Sequence, residues 1–145
     1  MTTLLTPHVT LEEMVASQTA ARLGIDNMPT DTVILDNLKK TAELLEQVRT
    51  LLGSRPIIIS SGYRCLAVNS AVGSSPTSAH VQGQAADFTC PGFGNPYQVC
   101  QAIAASNIQF DQLIYEFASW THIAWSTTQR RQLLTIDNSG TRYGI

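Results

Sequence analysis

Residues 78–88, SAHVQGQAADF, place one of the chain's three histidines, His80, seven residues ahead of Asp87, in a run with few large apolar side chains. Gly83 and its small neighbours suit a loop in which backbone passes close to backbone. Ala85-Ala86-Asp87-Phe88 then reads as a short strand whose successive side chains point to opposite faces. His80 is therefore expected in a loop just before a strand, and Asp87 within that strand.

The flanking segments carry helix and strand signals of their own. Thr10-Leu11-Glu12-Glu13 has the form of a capping box, and it predicts a short helix to about Arg22 with Leu11, Met14 and Val15 as its apolar stripe, stopped by Gly24. Residues 31–52 repeat Ile34, Leu38, Leu45, Val48 and Leu52 at helical spacing and leave Lys39, Lys40 and Glu43 to solvent. Ile57-Ile58-Ile59-Ser60-Ser61 is a β-branched strand, expected to be well covered, ending in Gly62-Tyr63-Arg64. A helical turn and a Gly/Ser/Pro loop fill residues 66–79. Asn95 or Pro96 opens a helix over Tyr97 to Ala105. Residues 110–116 and 120–125 read as two strands with a tight link through Ala118-Ser119, and Leu133 to Ile136 as a last strand before the turn signal DNSG. The order predicts an α+β fold, with N-terminal helices packed on a small, mainly antiparallel sheet.

Composition narrows the function classes. The chain has 145 residues, the length of one ordinary domain. Charged residues are only 14% of it, against a usual share of about 25%, and the net charge is -2. That balance offers no electrostatic funnel for nucleic acid. No stretch of roughly 18 apolar residues exists to insert stably in a membrane. The N-terminus lacks the basic start and apolar run of a secretory signal, so the chain is expected to be made in the cytoplasm. Cys65, Cys90 and Cys100 have no C-x-x-C spacing and are expected to be buried free thiols, a Cys90–Cys100 bridge being the alternative.

His122 lies in the strand over residues 120–125, where alternation sends Thr121 and Ile123 to the other face. Two neighbouring strands can thus present Asp87 and His122 on one surface, with His80 closing over them. Two imidazoles and a carboxylate make a three-point seat for zinc, leaving a fourth position for water. Taken singly, each has a plainer role: a hydrogen-bonded or surface histidine, an aspartate bracing a turn. Glu116, six residues before His122, folds back toward that face if the link is tight, where a carboxylate can relay protons. Arg64 at a strand end has the fork geometry of an anion clamp. Alone, Glu116 and Arg64 also fit surface positions.

Ser60-Ser61-Gly62-Tyr63-Arg64 with Asn69, Ser78-Ala79-His80-Val81-Gln82-Gly83-Gln84-Ala85-Ala86-Asp87, Tyr115-Glu116 and Trp120-Thr121-His122, in this order, resemble the zinc D-Ala-D-Ala carboxypeptidase family of peptidoglycan peptidases. That family is similar in its metal site to the Hedgehog signalling domain, and the chain looks most like its short phage and prophage lysins. The resemblance covers nearly the whole chain and implies a single zinc peptidase domain over residues 1–145. It implies zinc on His80, Asp87 and His122, an acid/base role for Glu116, a substrate-carboxylate role for Arg64, and a part for Ser78 in holding substrate or loop. Trp120 stands where many relatives carry a second histidine, and here it is expected to wall the substrate cleft. Several relatives place the acid three residues before the last histidine, where this chain has Ser119; the six-residue spacing of Glu116 resembles the Hedgehog arrangement. The resemblance further implies hydrolysis of a stem-peptide amide, as an L-alanyl-D-glutamate endopeptidase or a D-Ala-D-Ala carboxypeptidase. A monomer acting on the wall after release through a holin-type membrane lesion is the expected setting. A zinc-stabilised wall binder or phage structural module is the non-catalytic alternative.

Overall fold

The structure is a computed structural model that describes residues 2–145. Among these are five helices and eight strands. The chain opens with a ribbon, β1 (Leu4–Thr6) and β2 (Val9–Thr10), that the sequence does not announce because strands of two and three residues carry no readable period. Thr10 then caps α1 (Leu11–Val15): its Oγ1 accepts from Glu13 N at 3.1 Å, and Glu13 Oε1 accepts from Thr10 N at 3.2 Å. The single helix expected to run to Arg22 is two helices. The chain turns extended at Ala16, and α2 (Gln18–Leu23) starts afresh with Ser17 Oγ accepting from Ala20 N. A serine hydroxyl that takes a backbone amide favours a new helix start over continuation. Gly24 ends α2 in the left-handed conformation, as expected.

The long helix α3 (Thr32–Leu51) begins at Asp31, whose side chain accepts from Val33 N. Its predicted stripe is the one buried: Leu38, Leu45, Val48 and the following Leu52 are fully covered. After it come β3 (Ile58–Ser61), α4 (Leu66–Ala71), β4 (Ala85–Thr89) and α5 (Pro96–Ala104), the last capped by Asn95 with Pro96 at its first position. Strands β5 (Gln112–Glu116), β6 (Trp120–Ala124), β7 (Gln132–Asp137) and β8 (Gly140–Tyr143) complete the chain.

Six strands form one sheet in the order β3-β4-β6-β5-β7-β8, antiparallel throughout except for the parallel β5–β7 pair. Phe88, Leu113 and Ile123 from one face of the sheet join the α3 stripe and Val99 and Ile103 of α5 in a continuous apolar core. Each such side chain contributes about 1.5–3 kcal/mol by leaving water. The opposite face, carrying Asp87, Ile114, Glu116 and His122, looks into an open cleft. No helix among the described residues is long and apolar enough to cross a membrane.

Three further expectations need correction. The isoleucine run is an edge strand with one neighbour, and Ile58 remains 56% exposed because nothing packs on its side. Strand β8 follows the DNSG turn, unsignalled because all four of its residues are exposed and its burial does not alternate. Of the cysteines, Cys90 and Cys100 are buried but Cys65, at the foot of α4, is half-buried; all three are free. Burial pushes the Cys100 thiol up to about 11, with a hydrogen-bonding contact to Thr121 drawing it down.

Residues 125–131 carry the chain from β6 across the end of β5 into β7, and Asp111 fastens this return. Its carboxylate accepts from Thr128 Oγ1 (3.1 Å), Arg130 N (3.1 Å), Arg130 Nε (2.9 Å) and Arg130 Nη2 (2.8 Å). Hydrogen bonds from Arg130 hold the Asp111 carboxyl well below the usual carboxylate range, against an upward push from burial. The stabilisation is thus complete above the unfolded-chain value of about 3.9 and fades as pH falls toward the lower folded value. Asp111→Asn should lose about 1.5–3 kcal/mol at pH 7, and urea denaturation at pH 7 and pH 3 should find the gap to the parent protein narrowed at the lower pH.

Candidate metal centre

The cross-strand register builds the centre. On β4 and β6, Asp87 is the partner of His122, and Ser61 of β3 is the partner of Asp87 on its other side. Ile114 of β5 pairs with His122, so Glu116, two residues on, shares the same face. A slip of one residue between β4 and β6 would turn one member of the pair into the apolar core.

His80 enters from the turn over residues 78–84. Ser78 Oγ accepts from His80 N at 3.2 Å and starts the turn, while Val81 N, Gln82 N and Gly83 N donate back to Ser78, Ala79 and His80 carbonyls. Gly83 has φ +73, and a Cβ there would press within 3.1 Å of the Ile34 carbonyl and the Leu38 side chain. Thr41 Oγ1 of α3 donates to the Gly83 carbonyl at 2.6 Å, and Asn37 Nδ2 donates to that of Gln82 at 2.9 Å. The glycine in the motif is thus a contact with α3, and through it the helix seats the histidine.

The three donor atoms of His80, Asp87 and His122 lie within 4.8 Å of one another, and all three residues are buried. His80 Nδ1 lies 2.6 Å from the Gly62 carbonyl. A carbonyl only accepts, so Nδ1 donates there, and Nε2 is the ring nitrogen that faces Asp87 Oδ1, at 3.3 Å. His122 Nδ1 is 2.8 Å from the same oxygen. Burial works to raise the Asp87 pKa, but the hydrogen bonds from His122 and His80 outweigh it, and the carboxyl is held well below its usual range. Two imidazoles around a buried, ionised carboxylate form a cavity for a cation, and N, N, O is a donor set suited to a divalent transition metal. The residues fit such an ion.

Glu116 is half-buried at the rim with its Oε1 3.7 Å from His122 Nδ1. Burial raises its pKa, with the neighbouring His122 the largest opposing influence. Ser119, the alternative position for an acid, is exposed on the hairpin and donates its hydroxyl to Phe117 O. Arg64 has no carboxylate within 4.0 Å among the described residues; its Nη2 donates to Ser78 Oγ at 3.4 Å and its buried Nε has no partner. Burial lowers the Arg64 pKa while Asp87 and Glu116 favour its charge. Trp120 and Phe117 lie side by side on the cleft wall, their ring centroids 5.6 Å apart. Every residue singled out in the sequence thus reaches one cleft. His8 does not: it pairs with Glu46 at 2.9 Å, away from this cleft.

Two further contributors owe their part to contacts that the sequence pattern does not show. Asn27 lies in what reads as a polar loop, yet it is buried: its Nδ2 donates to Val15 O and Tyr63 O, and its Oδ1 accepts from Cys65 N. It thereby holds the backbone on both sides of Arg64. Gly62 is legible as part of a motif but not for its reason. A Cβ at 62 would collide with the Met14 carbonyl, and Tyr63 N donates to that same carbonyl at 2.7 Å.

Residues 7–124 match the family model described as peptidase M15. The chain belongs to that family. It is also 34% identical over 70 residues to the zinc D-Ala-D-Ala carboxypeptidase of Streptomyces albus G, a match covering 48% of this chain and 26% of that protein. The chain therefore spans only about a quarter of that relative's length.

Gly62→Ala should force the Gly62 carbonyl off His80 Nδ1. The expected result is a loss of about 1–3 kcal/mol in stability and about 10- to 100-fold in divalent-metal affinity, read by competition against a chromophoric chelator. Unchanged metal affinity would show that the carbonyl does not orient the ring.

Proposed function

We propose that the chain is a zinc-dependent peptidoglycan peptidase that hydrolyses an amide bond of the stem peptide, as an L-alanyl-D-glutamate endopeptidase of endolysin type, built as one domain over residues 1–145. Its membership of the peptidase M15 family and its likeness to a zinc carboxypeptidase support the metallopeptidase class. The observation that carries the reading is the buried His80–Asp87–His122 group with Glu116 and an unpaired Arg64 at its rim, open to a cleft.

His80, Asp87 and His122 would hold the zinc, which when bound supplies a Lewis acid that polarises the amide carbonyl and acidifies water. Glu116 accepts a proton from the attacking water and returns it to the departing nitrogen, a task suited to a carboxyl whose pKa burial has raised. Arg64 holds a substrate carboxylate, and Ser78 orients that guanidinium. Trp120 and Phe117 wall the groove.

The shape of the cleft favours an internal bond over a terminal one. A groove of about 910 Å³ runs from the centre over β5 and β7, and a second of about 760 Å³ runs the other way between α2, β3 and α4. Arg64, Val72, Asp87 and Trp120 border both. Room on both sides suits a chain that continues past the scissile amide in each direction, with Arg64 on the D-glutamate carboxylate. A carboxypeptidase acting on D-Ala-D-Ala needs room for one residue beyond the bond.

Mass spectrometry of peptidoglycan after incubation with the zinc-loaded protein should find new L-alanine carboxyl and D-glutamate amino termini, abolished by a chelator. Release of D-alanine alone makes it a carboxypeptidase, and sedimentation with the wall without new termini makes it a binder. Glu116→Gln should keep stoichiometric zinc while turnover falls by about 10² to 10⁴; full turnover would remove the acid/base role. His80→Ala should lose metal and activity together, by elemental analysis of the purified protein, and full zinc occupancy would count against its place in the ligand set.

A further inference from the structure

Glu116 and Trp120 are register partners at the foot of the β5–β6 turn, so their Cβ atoms are about 4.5–5.5 Å apart. The turn between them is forced. Phe117 and Ala118 both have φ 53, and Ser119 N donates to the Glu116 carbonyl at 3.0 Å. Two consecutive non-glycine residues in the left-handed region are costly and persist only where the surroundings impose them. The product of that cost is a fixed juxtaposition of residues 116 and 120.

The Trp120 indole Nε1 is cut off from solvent and has no hydrogen-bond partner. Across the rung, the half-buried Glu116 carboxyl has His122 Nδ1 at 3.7 Å as an ion-pair neighbour, beyond hydrogen-bond reach. A buried donor without an acceptor is rare in folded proteins and expensive to keep. Phe117 lies beside the indole, the two ring centroids 5.6 Å apart and the planes tilted by 41°. The chain's other tryptophan, Trp125, differs: its Nε1 donates to Thr41 Oγ1 at 2.8 Å.

We propose that Trp120 is a positioning residue for Glu116: its indole N–H, unpartnered in this structure, takes one Glu116 carboxylate oxygen as acceptor in the working enzyme and leaves the other turned to the cleft for proton transfer. This rests on the acid/base role given to Glu116 above. It differs from a cleft wall in that the wall needs only the ring, whereas this role needs the N–H.

Trp120→Phe keeps the ring and removes the donor. With peptidoglycan fragments as substrate, kcat should fall about 10- to 100-fold while KM stays within about twofold and zinc remains stoichiometric; an unchanged kcat, or a loss confined to KM, overturns the proposal. An independent readout needs no turnover. In ¹H–¹⁵N spectra of the zinc-loaded protein, the Trp120 indole resonance should move upfield and exchange faster in Glu116→Ala, while that of Trp125 stays in place. An unmoved Trp120 signal overturns the hydrogen bond. Inactivity of the parent protein together with a responsive indole would remove the peptidase role and leave the contact standing.

Discussion

The pairing of Asp87 with His122 across β4 and β6 is the constraint on which the site depends. It is a backbone register before it is a chemical contact: the ladder that sends Phe88, Ile123 and Leu113 into the core sends Asp87, His122 and Glu116 to the cleft. Packing and chemistry are thus fixed by the same hydrogen bonds. The apolar face supplies the energy that holds a buried carboxylate against two imidazoles, an arrangement that would otherwise be opposed by desolvation.

Around that pair the remaining groups are seated by neighbours that take no part in chemistry. Helix α3 grips the turn of His80 through Thr41 and Asn37, and Gly62 fixes the ring's tautomer. Asn27 holds the strand end that bears Arg64. The site therefore draws on five separate stretches of chain, and its geometry is a property of the whole packing rather than of any one motif.

How much of this was legible follows from range. Helix α3 announced itself because twenty residues of regular spacing leave little choice, and His122 showed its face because alternation is local. The motif around His80 gave its residue types but not the reasons for them, since the Gly83–Ile34 and Gly62–Met14 contacts join segments 49 and 48 residues apart. The break at Ser17 and the strand β8 failed for the opposite reason: each is short, and a short element has no period to read. Asn27 gave no sign of its role because nothing in its own neighbourhood says that Tyr63 and Cys65 will arrive there.

The three thiols bear on the conditions this fold tolerates. Cys90 and Cys100 sit within the core as small apolar fillers, and Cys65, half-buried at the foot of α4, packs against it, none joined to another. No covalent cross-link has to form before the sheet can close, and none is there for a reductant to break. A reducing medium therefore takes no bond away from this fold.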